Sequence, residues 1–454
     1  MIEALPLLMF LVLAILLFSG FPVAFVLGGT GFLFWLLAVL IGQENPASFF
    51  LVVGRIFGGV VSNTTLIAIP MFILMGTALE QSGIARRLLE ALQVLTRRIP
   101  GGLALSVTLI GVVMAATTGI IGASVVMMTL LALPMMVERG YDRPLASGTI
   151  AASGTLGILI PPSIMLIVMA DLLSTSVGTL FLAALMPGLL LALLYLGYIA
   201  IIAFLAPHKA PALPKEDVPV GWRALLRLFA LGLIPPLLLI LAVLGAIFAG
   251  FATPTEASGI GALGALLLSA ASRRLDRKTL ALILDRTAMT SAMLFAIFIG
   301  ATAFSYVFAL LGGHDLILRL VSDLGAGPWG ILFALMALIF VLGFFFDWIE
   351  ITLIVLPIFA PVIGLLDFGD HLPARELVIP WFAILVAINL QTSFLTPPFG
   401  FALFYMKGAA PPSVGMGDIY RGVLPFILLQ ILGLALVMLW PEIALYLPLS
   451  LLPE

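Results

Sequence analysis

Two proline pairs interrupt apolar stretches of the sequence. Pro161-Pro162 follows residues 155–160, and Pro397-Pro398 follows residues 391–396. Proline has no N–H and its ring clashes with the carbonyl group four residues earlier, so neither stretch can continue as a regular helix. The freed carbonyl oxygens can coordinate a hard cation such as Na⁺, and the half-helix after each break can bind an anion at its N-terminus. The alternative is a plain proline kink whose carbonyl groups are satisfied by hydroxyl groups or water.

A pair of acids lies within another apolar stretch, residues 328–363. Asp347 and Glu350 follow Gly343 and three phenylalanines. A carboxylate inside a bilayer is expensive, so it is interpreted as functional by default. We therefore predict that Asp347 couples ion or substrate binding to transport. The alternatives are that both acids lie at a hairpin tip in a water-filled vestibule, or that Asp347 only orients its hairpin through hydrogen bonds to the backbone.

The residue inventory excludes most other chemistry. The chain has no Cys and three His, which excludes disulfides, thiolate metal sites and cysteine nucleophiles. It contains no phosphate-binding loop and no zinc-protease motif. An ion gradient is therefore the expected energy source, with Na⁺ as the coupling ion and no cofactor. An intramembrane hydrolase is a weak alternative because no His lies in an apolar span.

The composition requires that these residues be positioned by membrane-spanning helices. Of 454 residues, 63% are hydrophobic and 9% are charged, whereas a soluble domain has about 25% charged residues. Inside a bilayer the backbone polar groups must be satisfied within helices. The sequence therefore predicts an all-α polytopic membrane protein, not a soluble enzyme or a disordered chain. A net charge of −2 offers no basic field for nucleic acid.

Twelve apolar stretches divide the chain. A bilayer core needs about 20 apolar residues per helix. The stretches 101–137 and 328–363 are too long for one helix and have polar or Gly-rich centres, so we interpret them as re-entrant hairpins. The remaining ten are interpreted as transmembrane helices. They are 5–20, 22–41, 57–80, 145–170, 178–206, 228–249, 255–271, 287–311, 378–406 and 422–447.

The basic residues orient these spans. If the N-terminus lies outside and the spans alternate, 17 of the 20 Lys and Arg residues fall in inside loops. Only Arg55, Arg319 and Arg375 fall outside. This bias follows the positive-inside rule. We therefore predict a multi-pass protein of the bacterial cytoplasmic (inner) membrane with both termini in the periplasm.

Four short sequence matches recur in the same order in the two halves, and one of them pairs Pro161-Pro162 with Pro397-Pro398. Each half then contains five crossings and one hairpin. Because five is odd, the two halves must insert upside down relative to each other. Inverted-topology repeats with interrupted helices are typical of secondary transporters. The predicted division is a first repeat at 1–206, a cytoplasmic linker at 207–227 and a second repeat at 228–454.

Several segments resemble one family of bacterial transporters. They are residues 70–76, residues 151–164 around Ile160-Pro161-Pro162-Ser163, and residues 395–400 around Thr396-Pro397-Pro398. Over residues 1–447 the chain is similar to the large membrane subunit of tripartite ATP-independent periplasmic (TRAP) transporters. The resemblance implies a sodium-driven importer of elevator type in the ion transporter superfamily. It also implies two protein partners, a small four-helix membrane subunit and a periplasmic substrate-binding protein that delivers a small carboxylate.

The resemblance further implies which residues form the sites. A first sodium site would lie between the first hairpin tip and the first break, at Thr118, Gly119, Gly157, Ile160 and Pro162. A second would be its repeat equivalent, at Gln391, Thr396, Pro397, Pro398 and Gly400. The acid of the second hairpin falls on Asp347, and a serine near the substrate cavity falls on Ser176.

The expected function is therefore the large permease subunit of a sodium-driven, binding-protein-dependent importer of small organic acids. Two transport alternatives stay open on the sequence alone. One is a stand-alone sodium-coupled dicarboxylate symporter of the same broad fold. The other is a passive channel, against which two hairpins closing on one site argue.

Overall fold

The fold is helical throughout the part of the chain that the structure describes. The computed structural model describes residues 5–96, 98–118, 121–212, 230, 232–323 and 325–451. Every regular element within these ranges is a helix, as the composition predicts. Among the described residues seven helices are long and apolar enough to cross a membrane, or eight spans if one bent pair is counted. The chain is therefore a multi-pass membrane protein.

The described residues of the first half form ten α-helices. Its third span is bent by 55° between Pro46–Val61 and Thr65–Gln81. The predicted stretch 57–80 covers only the later part of this span. The helices are α1 (Leu5–Leu17), α2 (Val23–Leu40), α3 (Phe50–Ile56), α4 (Ala68–Gln81), α5 (Ile84–Thr96), α6 (Gly102–Thr118), α7 (Ile121–Glu138), α8 (Arg143–Thr155), α9 (Ile164–Leu172) and α10 (Val177–Leu205).

The second half follows the same order. Its last predicted stretch, 422–447, is two helices because Pro441 disfavours helical geometry at the residue before it. The helices are α11 (Ile234–Phe248), α12 (Pro254–Ala271), α13 (Arg277–Leu310), α14 (Gly313–Asp323), α15 (Pro328–Leu342), α16 (Trp348–Leu365), α17 (Val378–Leu395), α18 (Phe401–Ala409), α19 (Met416–Leu439) and α20 (Glu442–Leu451).

The segments interpreted as hairpins and as broken helices are each formed by two helices. The stretch 101–137 is α6 with α7, and 328–363 is α15 with α16. Each of these pairs is preceded by a short helix, α5 or α14, that carries charged residues on one side and apolar residues on the other. Such helices are suited to lie in the plane of a membrane interface. Span counting does not find them because they are too short and too charged.

Close glycine contacts join the long helices. An added Cβ at Gly300 of α13 would lie 2.3 Å from the carbonyl oxygen of Ala24 in α2. One at Gly422 of α19 would lie 2.0 Å from that of Pro144 in α8. Small residues let membrane helices approach with their backbones almost in contact. Both contacts directly join the two predicted repeats.

The predicted linker, 207–227, lies mostly outside the described residues, and only 207–212 can be placed. These residues are tied to the first predicted hairpin and to the helix after it. The backbone N–H of Gly101 donates to the carbonyl of Ala210 at 2.8 Å, and that of Asp142 donates to Lys209 at 2.9 Å. The chain therefore leaves the first half at the base of that hairpin.

Candidate functional site

The first helix break is buried and contains unsatisfied carbonyl groups. After α8 the chain makes a short 3₁₀ turn and resumes as α9 at Ile164. The hydroxyl of Ser163 donates to the carbonyl of Ile158 at 2.8 Å. The carbonyl groups of residues 160–162 accept no hydrogen bond from the described part of the chain. Since a buried polar group is costly without a partner, these oxygens are available to a partner outside the described residues.

Three of the predicted first-site residues lie in this break. Gly157, Ile160 and Pro162 are all buried. The side chain of Thr118 and the whole of Gly119 lie outside the described residues. The rest of the first hairpin packs against the last turn of α8. An added Cβ would lie 2.5 Å from Ser153 if placed at Gly111, and one at Gly154 would lie 2.6 Å from Val125.

The second break is a tight loop that is more exposed than the first. The Thr396 hydroxyl donates to the carbonyl of Thr392 at 2.8 Å, and the Gly400 N–H donates to the carbonyl of Thr396 at 3.1 Å. The hydroxyl of Tyr420 donates to the carbonyl of Pro398 at 2.7 Å. The carbonyl of Pro397 accepts no hydrogen bond from the described residues. Four of the five predicted second-site residues therefore share one loop, in which the Pro397 carbonyl has no donor from the described residues.

Glycine is required where this loop enters α18. Gly400 has φ +24°, in the region that side-chain-bearing residues rarely adopt. An added Cβ would also lie 2.7 Å from the side chain of Leu403 and 3.0 Å from the carbonyl oxygen of Phe394. The geometry of the second break therefore depends on a residue without a side chain.

The two acids of the second hairpin form a capping box at its tip. Asp347 is the N-cap of α16, and its Oδ1 accepts a hydrogen bond from the N–H of Trp348 at 2.7 Å. The carboxylate of Glu350 accepts from the N–H of Asp347 at 3.3 Å. Neither acid forms an ion pair within the described chain. The capping role accounts for their hydrogen bonds, while their negative charge is left without a counterion from these residues.

The second hairpin, the second break and the second arm of the first hairpin pack together. An added Cβ at Gly343 would lie 1.9 Å from the hydroxyl oxygen of Ser393, one turn before the second break. The rings of Phe345 and Phe399 are 5.0 Å apart. An added Cβ at Gly122, near the start of α7, would lie 2.9 Å from the ring of Tyr405 in α18. The acids and the second break thus lie together, with α7 of the first hairpin packed against the helix that follows that break.

Gln391 does not reach the second loop. It is fully buried, and its amide nitrogen lies 3.3 Å from the hydroxyl of Thr155 at the end of α8 and 3.3 Å from the hydroxyl of Tyr195 in α10. The amide of Gln430 donates to the same Tyr195 hydroxyl at 2.8 Å. This polar cluster joins the helix before the first break to the helix before the second. Tyr195 and Gln430 are not among the predicted site residues; their polarity inside apolar spans is the signal for them.

Ser176 lies away from the hairpin tips. It caps α10, where its hydroxyl oxygen accepts a hydrogen bond from the N–H of Thr179 at 3.4 Å. The nine-residue helix α9 separates it from the first break by about 13 Å along the helix axis. Ser176 lines a separate pocket of about 670 Å³ with Asp171, Thr253 and Glu256. The substrate contact that the resemblance assigns to Ser176 therefore stays a prediction. Ser176 lies in a different place from the two acids.

A family model and two known proteins match most of this sequence. The family model described as the tripartite ATP-independent periplasmic transporter, DctM component, matches residues 10–443. The C4-dicarboxylate TRAP transporter large permease protein DctM of Pseudomonas aeruginosa is 33% identical over 387 residues, which are 85% of this chain and 86% of that protein. The ectoine TRAP transporter large permease protein TeaC of Halomonas elongata is 30% identical over 435 residues, with 95% and 96% of the two chains covered.

A solved structure has a similar fold. The YdaH transporter of Alcanivorax borkumensis matches with a TM-score of 0.59 and 17% sequence identity, and the match covers 88% of each chain. At this identity the likeness concerns the fold alone.

Proposed function

The chain belongs to the tripartite ATP-independent periplasmic transporter family as its DctM component, and from this premise we propose that it imports small carboxylates with Na⁺ as the driving ion. The predicted family is thereby confirmed. In this role the chain is the large permease subunit, which works with a small four-helix membrane subunit and a periplasmic substrate-binding protein. The stand-alone symporter is not favoured, since the relatives are named as TRAP large permeases.

One observation carries the sodium proposal. Each proline-containing break leaves backbone carbonyl groups without a donor from the described chain, and the unpaired acids Asp347 and Glu350 lie beside the second break. Oxygen ligands with nearby negative charge suit a hard cation. The proposed first site uses Gly157, Ile160 and Pro162 together with the first hairpin tip. The proposed second site uses the loop from Thr396 to Gly400.

The substrate proposal rests on the relatives and on the half-helices. The two relatives compared above are named for C4-dicarboxylate and ectoine transport. The helices that restart after the breaks, α9 and α18, each present backbone N–H groups at their first turn, which favours an anion. We propose a small organic acid as the transported class, with the binding protein choosing among such acids.

The proposed transport cycle moves one group of helices against another. We propose two inverted repeats, each with five crossings and one re-entrant hairpin. In the moving group, α8 packs with α6, α7 and α19; in the supporting group, α2 packs with α13 and α4 with α12. An elevator movement would carry the site between the two sides of the membrane. Both halves contain a short amphipathic helix, a helix pair and an interrupted helix in that order, which supports this arrangement.

Sodium dependence is the direct test. Uptake of a cognate carboxylate by the assembled three-part system in proteoliposomes should require an inward Na⁺ gradient and should fall to background when choline replaces Na⁺. In this proposal Na⁺ is the partner that satisfies the free carbonyl groups at the two breaks. A K⁺ gradient of equal size is the control for membrane potential. Undiminished uptake in choline would overturn the sodium proposal.

Membrane orientation is tested separately. The asymmetry of the basic residues predicts that both termini are periplasmic. Alkaline phosphatase fused after the last residue should therefore be active, and green fluorescent protein fused there should remain dark. A fusion in the linker 207–227 should show the reverse pattern and serves as the internal control. A fluorescent C-terminal fusion would contradict the proposed count of spans.

A further inference from the structure

A crevice of about 350 Å³ lies apart from the hairpin tips, between α3, α9, α13 and α16. Its walls include Arg55, Asp171, Tyr306 and Leu353. The volume is at the small end of the range for ligand pockets, about 300–1,000 Å³, which suits a small organic molecule. Arg55 is one of three basic residues that the proposed orientation places on the periplasmic side. The crevice therefore opens toward the side from which substrate arrives.

Arg55 is exposed at this crevice and forms no ion pair within the described chain. Its guanidinium carbon lies 5.9 Å from the centre of the Tyr306 ring. The Tyr306 hydroxyl donates to the carbonyl of Ser48 at 3.1 Å, which fixes the ring. The guanidinium is thus positioned by a neutral aromatic face while its N–H donors remain available. A guanidinium group matches the two oxygens of a carboxylate with two parallel hydrogen bonds.

The crevice also contains hydrogen-bond acceptors. Asp171, at the end of α9, accepts a hydrogen bond from the side-chain amide of Asn63 at 2.7 Å, which orients the carboxylate and leaves lone pairs unused. Pro357, also on the wall, lacks the N–H that would bind the carbonyl of Leu353 four residues earlier. A ligand with a carboxylate at Arg55 would therefore meet acceptors at its other end.

We propose that this crevice is an entry site for a small carboxylate that also carries a hydrogen-bond donor, either a hydroxyl or an ammonium group. The carboxylate pairs with Arg55, and the donor group faces Asp171 and the Leu353 carbonyl. The inference rests on the proposed function, because it narrows the class of acid that the permease accepts. Leu353 and Pro357 belong to the second arm of the predicted hairpin α15–α16, so an occupied crevice bridges that hairpin to α3 and α13.

The first test uses the absence of native Cys. Ser305, on the crevice wall, is replaced by Cys in the full-length chain, which is placed in lipid nanodiscs with and without its small membrane subunit. Its labelling rate is measured with an anionic methanethiosulfonate reagent (sulfonatoethyl) and a cationic one (trimethylammonioethyl). Arg55 should make the anionic reagent faster by about threefold to tenfold. Arg55→Ala should remove this preference, and Arg319→Ala, an equal charge change on the same predicted side, should leave it.

The second test identifies the ligand class with three molecules of one carbon skeleton. 3-Hydroxybutyrate should slow the labelling of the Ser305→Cys thiol at roughly tenfold lower concentration than butyrate, and 1,3-butanediol should not slow it. Arg55→Ala should abolish protection by both acids, and Asp171→Asn should weaken only the advantage of the hydroxy acid. Equal reagent rates, or protection that survives Arg55→Ala, would overturn the entry site. These assays need no Na⁺ gradient, so failure of sodium-driven uptake leaves their outcome readable.

Discussion

Replacing Gly422 by Ala is expected to prevent stable assembly of the two halves of the protein. The new Cβ would lie 2.0 Å from the carbonyl oxygen of Pro144 and 2.9 Å from the amide nitrogen of Gly148. Both contacts are with the backbone of α8, which no change of rotamer can relieve. Overpacking a rigid contact costs on the order of 3 kcal/mol. Purified protein should show a thermal midpoint lowered by several degrees or elute as aggregate, and uptake should be lost.

The same helix provides a matched control. Gly417 lies one and a half turns before Gly422 in α19, and an added Cβ there would meet no atom within 4 Å. Gly417→Ala should therefore behave like the unmodified protein in the unfolding and uptake assays. Gly148→Ala should reproduce the defect, because its Cβ would lie 2.0 Å from the carbonyl oxygen of Gly422. Normal stability of both Gly422→Ala and Gly148→Ala would show that α8 and α19 do not pack at this distance.

Proline chemistry made the helix breaks predictable. A Pro-Pro pair in an apolar run has no helical solution, so Pro161-Pro162 and Pro397-Pro398 could be assigned to interruptions without any tertiary information. The polar tip of the second hairpin followed from the cost of Asp347 inside a membrane. These are local rules, and the structure has helix ends at the corresponding places: α8 ends at Thr155 and α17 at Leu395.

The close contacts between helices that are distant in sequence were not predictable in the same way. Nothing in the local sequence distinguishes Gly422, which contacts backbone, from Gly417, which contacts nothing. The crevice around Arg55 combines residues from five helices, most of them distant in sequence. The hydrogen bond between the Gln391 amide and the Thr155 hydroxyl spans 236 positions, so no local pattern could show it.

The amphipathic helices α5 and α14 were not predicted, for a different reason. α5 and α14 are too short and too charged for a hydropathy count, and a count tuned to about 20 apolar residues passes over them. Their amphipathic pattern is nevertheless local and can be found with a helical period. Searching for that period before each hairpin would have added both helices to the prediction.

Asp347→Asn is expected to abolish transport while leaving the second hairpin intact. Asn and Asp cap helices comparably, so the bond to the N–H of Trp348 should persist and the thermal midpoint should hardly change. The substitution removes only the negative charge. If that charge compensates Na⁺ at the free carbonyl groups of the second break, uptake should fall at least about tenfold, which corresponds to about 1.4 kcal/mol.

Two companion variants separate the charge of Asp347 from its capping role. Asp347→Glu keeps the charge with a longer arm and should retain part of the uptake. Asp347→Ala removes both the charge and the cap, so it should add a loss of about 1 kcal/mol of stability to the loss of transport. The capping box can use Gln as well as Glu at its third helical position, so Glu350→Gln keeps the reciprocal hydrogen bond and tests whether the charge of Glu350 contributes to uptake. Near-normal uptake by Asp347→Asn at limiting Na⁺ would show that Asp347 only caps α16 and takes no part in ion coupling.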